Sequence, residues 1–235
     1  MMCCGSTPSR YDRLVAVWVL MAALVVVHIA TASVAPSFID ALIYDRPAVL
    51  RIAVGGQHRG LVANRQQWWR LCTSVLLHAN LLHLLTNMLA VWVLARLVEP
   101  FVGPTRWLGG FVAGGVAGSV ASQMMGVPMS DGASGGAFAL LGAAVVIGYR
   151  MRDTMDETDQ QTYGPILIGF VLLNVVGSFL VPFIDAIGHV GGLVAGLVWG
   201  ALTPIDCELG AAEKVLWAAV LGGFVLACAY GWVPR

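Results

Sequence analysis

Long apolar runs separated by short polar breaks dominate the chain, and each run approaches the ~20 residues a helix needs to cross a bilayer. Seven stand out, at about 14–33, 71–97, 106–125, 133–149, 163–182, 188–203 and 212–232. They predict an all-α polytopic membrane protein with seven spans. Residues 1–13 read as an N-terminal tail, 14–203 as a core of six transmembrane helices, and 204–235 as a linker and a seventh helix. The first run, LVAVWVLMAALVVVHIA, exceeds the ~7–15 apolar residues of a secretory signal, so it reads as an uncleaved span. The one sizeable loop, about 34–70, ends in the patch QQWWR and is expected to fold against the membrane surface.

Composition agrees with that pattern. Hydrophobic residues make up 58% of the chain and charged residues 11%, more apolar than a soluble domain of 235 residues can hide in its core. Thirteen acidic residues balance thirteen basic ones, which argues against a nucleic-acid partner. Twelve of the thirteen basic residues are Arg, and Ala, Gly and Val abound, a usage typical of GC-rich bacterial genomes. With the N-terminus inside, seven Lys/Arg lie on the cytoplasmic side and six outside, so charge barely orients the chain. The five cysteines (Cys3, Cys4, Cys72, Cys207 and Cys228) show no metal spacing and form no plausible disulfide framework; buried, inert thiols are expected.

The stretch MSDGASGGAFALLGAAVVIGY, residues 129–149, places a lone serine between small residues at the mouth of an apolar helix. From Ser134 to Arg150, taken as the inner boundary, sixteen residues cover ~24 Å of a hydrocarbon layer ~30 Å thick. Ser134 is therefore expected several ångströms below the outer surface, in a polar recess, because irregular backbone at that depth needs protein or water around it. Its N–H belongs to a helix's first turn, where donors are free and negative charge is favoured. Asp131 and Asp185, each a few residues ahead of a helix, read as N-caps.

A serine becomes a nucleophile beside a base, and ionisable residues within spans are the candidates: His28, His78, His83 and His189. Helices four and six run in the same direction, and Ser134 and His189 both lie near their starts, so they should share a depth. Gly188, Gly192, Gly196 and Gly200 recur at every fourth position of span six, a face that lets backbones touch. By itself such a ladder is equally a packing seam. His83 and Asn87 share one face of span two, either as functional donors or as interhelical hydrogen-bond glue. A metal site from His78, His83 and His189 is disfavoured, because the H-x4-H spacing lacks the register and carboxylate of a zinc hydrolase motif. His28 reads as a satisfied polar residue of span one.

WWRLCTSVLLHANLLHLLTNM, GASGG and GHVGGLVAG, in that order over roughly residues 66–200, together resemble the rhomboid intramembrane serine proteases. The resemblance implies a six-helix catalytic core with one additional C-terminal helix, and an external 34–70 loop. It matches Ser134, within Gly132-Ala133-Ser134-Gly135, to the nucleophile and His189 to the general base of a Ser-His dyad. His83, Asn87 and the Ser134 backbone N–H match the oxyanion hole, and Phe138 the aromatic residue that stacks on the histidine. His78, Trp69, Arg70 and Glu99 match positions that brace the first loop and its neighbouring helix.

The implied activity is hydrolysis of a peptide bond in or beside a substrate's transmembrane helix, near the outer face of a bacterial inner membrane, by an enzyme with a cytoplasmic N-terminus. It needs no metal and no organic cofactor; its partners are transmembrane substrates and the lipid bilayer. Span five and its outer loop, SFLVPFIDAIG, would be the gate. Two other classes stay open: a silent rhomboid-like protein that binds membrane clients without cutting them, and a small-solute channel or transporter.

Overall fold

The computed structural model describes residues 15–205 and 208–232, so the tail with Cys3 and Cys4, and Cys207 in the linker, lie outside the described residues. Twelve α-helices and one two-stranded pairing make up that part. Five helical segments are long and apolar enough to cross a membrane: Val15–Ala32 (α1), Leu81–Val102, Ser134–Thr154, Glu157–Leu180 and Ala211–Trp232. Pro104–Met124 matches them in length but is glycine-rich, and Ala186–Leu202 is apolar but 17 residues long. The chain is a multi-pass, all-helical membrane protein.

Span two differs from its expected extent of 71–97. Arg70–Thr73 (α5) and a 3-10 turn at Ser74–Leu76 come first, the backbone is extended at Leu77, and the long helix Leu81–Val102 (α6) begins only after Asn80. The reason is local: Asn80 Oδ1 accepts from His83 N at 2.7 Å, an N-cap that stops the helix from reaching back. Span five also begins earlier than expected. Asp156 caps Glu157–Gln161 (α9), and Gly164 and Pro165 force a π turn at Thr162–Ile166 before Leu167–Leu180 (α10).

Three helices rich in small residues form the centre: Pro104–Met124 (α7), Ser134–Met151 (α8) and Ala186–Leu202 (α11). α8 is the most enclosed of the five long apolar segments. A side chain at Gly192 would strike the backbone of Gly135, one at Gly196 the backbone of Ala139, and one at Gly200 that of Ala143. Each pair lies one turn further along both helices, so α8 and α11 run parallel with their backbones in contact. α7 closes the third side, with Gly118 against the Gly188 carbonyl and Gly114 against Ala139. Arg150 Nη1 donates to the carbonyls of Gly200 and Thr203, each at 2.7 Å, and so caps the end of α11.

The 34–70 loop holds Phe38–Ile43 (α2), Ala48–Ala53 (α3), Gln57–His58 (β1) and Arg59–Arg65 (α4). It is stapled down by buried arginines. Arg46 donates to the carbonyls of Ala41 and His28, to Thr31 Oγ1 and to His28 Nδ1, while His28 Nε2 donates to Leu42 O; His28 is thus a satisfied residue of α1. Arg70 donates to Ile52 O at 2.6 Å and Gly56 O at 2.8 Å, and its guanidinium lies 4.5 Å over the Trp69 ring.

β1 pairs antiparallel with Met129–Ser130 (β2), in the segment leading to Ser134. Arg51 Nη1 beside it meets both Asp131 oxygens, at 2.8 and 3.1 Å. This corrects the N-cap expectation for Asp131: α8 has no side-chain cap, and burial raises the Asp131 carboxyl above its usual range while Arg51 opposes that rise. Ala211–Trp232 (α12) is pinned at both ends. Glu213 accepts from Arg106 at 2.5 and 2.7 Å, and Trp232 Nε1 donates to Val54 O at 2.8 Å beside Trp69.

Two stability experiments follow, each read as thermal unfolding in detergent. Gly196→Val is expected to cost about 3 kcal/mol or more, by forcing α8 and α11 apart, whereas Gly222→Ala on α12, with open space around it, is expected to be neutral. Arg51→Met is expected to cost about 3 kcal/mol by leaving a buried carboxylate unpaired, and the double variant Arg51→Met/Asp131→Asn to recover most of that loss.

Candidate active site

Ser134 is the first residue of α8 and His189 sits in the first turn of α11, one turn before the Gly192–Gly135 contact. Parallel packing brings both to the same end of the helix pair. There they line one recess of about 20 Å³ with Gly132, Gly135, Asp185 and Gly188. That volume holds about one water molecule and no peptide. A larger hollow of about 500 Å³ lies among residues 35–53 of the loop, away from both side chains.

Among the described residues, no hydrogen bond joins Ser134 Oγ to the His189 ring. The ring is instead held from two other sides. Phe138, one turn along α8 from Ser134, stacks on it at 4.2 Å between centroids and 17° between planes. Ser178 Oγ of α10 lies 2.7 Å from its Nδ1. Asp185, the expected N-cap of α11, accepts from Gly188 N at 2.8 Å and also bonds Ser122 Oγ, so both carboxylate oxygens are engaged away from the imidazole.

Gly132 shapes the opposite wall. Its φ of +133° suits glycine, and a methyl group there would come within 2.9 Å of His83 Nε2 and 3.7 Å of Ser134 Oγ. His83 therefore presents its Nε2 edge beside the serine. The Ala79 N–H points to His83 Nδ1 at 3.4 Å, which leaves the ring proton on Nε2, facing Gly132. Asn87 is buried one turn further along α6, with one amide proton donated to His83 O at 2.8 Å. Neither His83 nor Asn87 lines the recess itself.

His78 packs edge-on against His83, 5.1 Å between centroids, with Nε2 3.4 Å from Ala133 N. Burial holds it well below the ordinary histidine range, so it is the neutral acceptor this contact needs. Gly132 N donates to Ser74 O at 2.9 Å, which fixes the turn before the serine. Trp69 and Arg70 hold the loop and stay outside the recess. Glu99 is buried at the other end of α6, sixteen residues and ~24 Å along the axis from His83.

Sequence reasoning missed Ser178, Ser122, Asn80 and the Arg51–Asp131 pair. Only Ser178 carried a usable signal: with Asn174 it puts two polar side chains one turn apart in a span otherwise apolar.

The rhomboid domain family model matches residues 65–206. Rhomboid protease GluP of Bacillus subtilis is 35% identical over 170 residues, 72% of this chain and 32% of the relative. Putative rhomboid protease YdcA of the same organism is 31% identical over 152 residues, 63% of this chain and 72% of the relative. Rhomboid protease GlpG of Haemophilus influenzae is 29% identical over 132 residues, 56% and 68% of the two chains. The chain thus spans about a third of the length of GluP and about two thirds of the other two. The matched region runs from the WWR segment through the whole α8–α11 seam, and the chain belongs to the rhomboid family.

Proposed function

We propose that the chain is an intramembrane serine endopeptidase that cuts transmembrane segments of membrane proteins with Ser134 and His189. The observation that carries this reading is the shared recess at the head of the α8–α11 pair, with Phe138 stacked on the His189 ring and His83 Nε2 beside Gly132. Its relatives are named rhomboid proteases.

In this mechanism His189 Nε2 takes the proton of Ser134 Oγ as the oxygen attacks the scissile carbonyl carbon. The negative oxygen is met by the Ser134 N–H, by His83 Nε2–H and by the second amide proton of Asn87; in a site of low dielectric one such donor is worth ~3 kcal/mol. His189 then protonates the departing amine, and water releases the acyl-enzyme. The hydroxyl and the imidazole come into hydrogen-bond contact when substrate fills the recess, as catalytic hydrogen bonds commonly tighten only in the complex.

A peptide does not fit into about 20 Å³, so one wall must move. α10 and the segment after it are the candidates: few of their residues are buried, and Phe183, at φ 72°, is fully exposed. The reading places six helices (α1, α6, α7, α8, α10 and α11) in the catalytic core and α12 beside it, in a bacterial inner membrane with the N-terminus cytoplasmic and Ser134 sunk below the outer surface.

The test is labelling of the detergent-solubilised chain with a serine-directed fluorophosphonate, combined with cleavage of a tagged single-span membrane protein. Labelling and cleavage are expected in the wild type and are expected to fall at least a hundredfold in both Ser134→Ala and His189→Ala. Persistent labelling of His189→Ala would contradict the dyad, and binding of the span without cleavage would assign the chain to the silent client-binding class.

A further inference from the structure

Of the fourteen residues of α10, only Leu167 and Ser178 are buried, and Ser178 is the polar one. A buried hydroxyl on an otherwise outward-facing apolar helix needs partners. Ser178 Oγ has two: Asn174 O on its own helix at 2.6 Å and His189 Nδ1 on α11 at 2.7 Å. A hydroxyl carries one proton. The Asn174 carbonyl only accepts, so the hydroxyl proton goes there, and Nδ1, also in contact with the oxygen, must be the donor. The chain then reads His189 Nδ1–H to Ser178 Oγ–H to Asn174 O.

A neutral imidazole protonated at Nδ1 has its lone pair on Nε2. That is the tautomer a general base facing Ser134 requires, and the other tautomer would be idle. Among the described residues no carboxylate bonds the imidazole: the Asp185 oxygens meet Gly188 N and Ser122 Oγ instead. We infer that Ser178 is a positioning residue for catalysis: its hydroxyl holds His189 in the Nδ1–H tautomer and, with the Phe138 ring against the imidazole face, fixes the ring's rotation. This rests on the dyad reading above and extends it to α10.

The role has a signature that mere packing lacks. In histidine-15N-labelled full-length protein in micelles, with His189→Gln used to assign the signal, wild-type His189 is expected to be protonated at Nδ1, and Ser178→Ala to shift it toward the Nε2–H form. The fluorophosphonate labelling rate and kcat for a cleaved span are expected to drop about tenfold in Ser178→Ala, with KM within about twofold. Ser178→Thr, which keeps the hydroxyl, is expected to restore both rate and spectrum. Wild-type rates and an unchanged 15N spectrum in Ser178→Ala would overturn the inference, as would a slowed Ser178→Thr whose His189 spectrum is that of the wild type. Absence of labelling in the wild type would instead remove the dyad reading on which it stands.

Discussion

Backbone contact between α8 and α11 is the constraint on which the rest depends. Gly192, Gly196 and Gly200 remove every side chain that would separate the helices, and their partners Gly135, Ala139 and Ala143 advance in step. Parallel helices fixed in register have fixed heights at both ends. One end carries Ser134 and His189; the other carries Arg150, which caps α11 through the carbonyls of Gly200 and Thr203. Side-chain packing alone leaves room for small slips, whereas interlocked backbones resist them strongly, because a shift of part of a turn would drive carbonyls into Cα atoms.

The second theme is satisfaction of polar groups where water is scarce. Arg46 and Arg70 each donate to two backbone carbonyls as well as to side chains, and so hold the 37-residue loop against α1 and α5. Planar, multi-donor guanidinium suits this task better than a single ammonium, in keeping with the near absence of Lys from the chain. The same loop reaches the reactive end through the β1–β2 pairing and through Arg51 on Asp131. Loop, turn and serine thus form one connected unit, and the α12 end, pinned at Trp232 on Val54, steadies it from behind.

Much of this was legible in the sequence. Apolar run lengths located the long helices, the fourfold glycine spacing announced the α8–α11 seam, and three ordered motifs pointed to the family before any coordinates. What escaped detection was tertiary. The break at residues 77–80 hides inside an apolar run because a single Asn80 side chain sets where α6 begins, and the run-length criterion does not register one cap. Asp131 sits where an N-cap would, and only the fold brings Arg51, eighty residues earlier, to its carboxylate. Ser178 and Asn174 mark a polar pair in an apolar span, but the partner His189 comes into reach only where α10 lies against α11.

The central claim is that the head of the α8–α11 pair is one reactive site, and a crystal structure of the fluorophosphonate adduct tests it most directly. The account predicts phosphorus bonded to Ser134 Oγ, His189 Nε2 about 3 Å from that oxygen, and the phosphoryl oxygen within about 3 Å of the Ser134 N–H and His83 Nε2. Phosphorus on any other side chain, or a His189 ring turned away from Ser134 in the adduct, would contradict it.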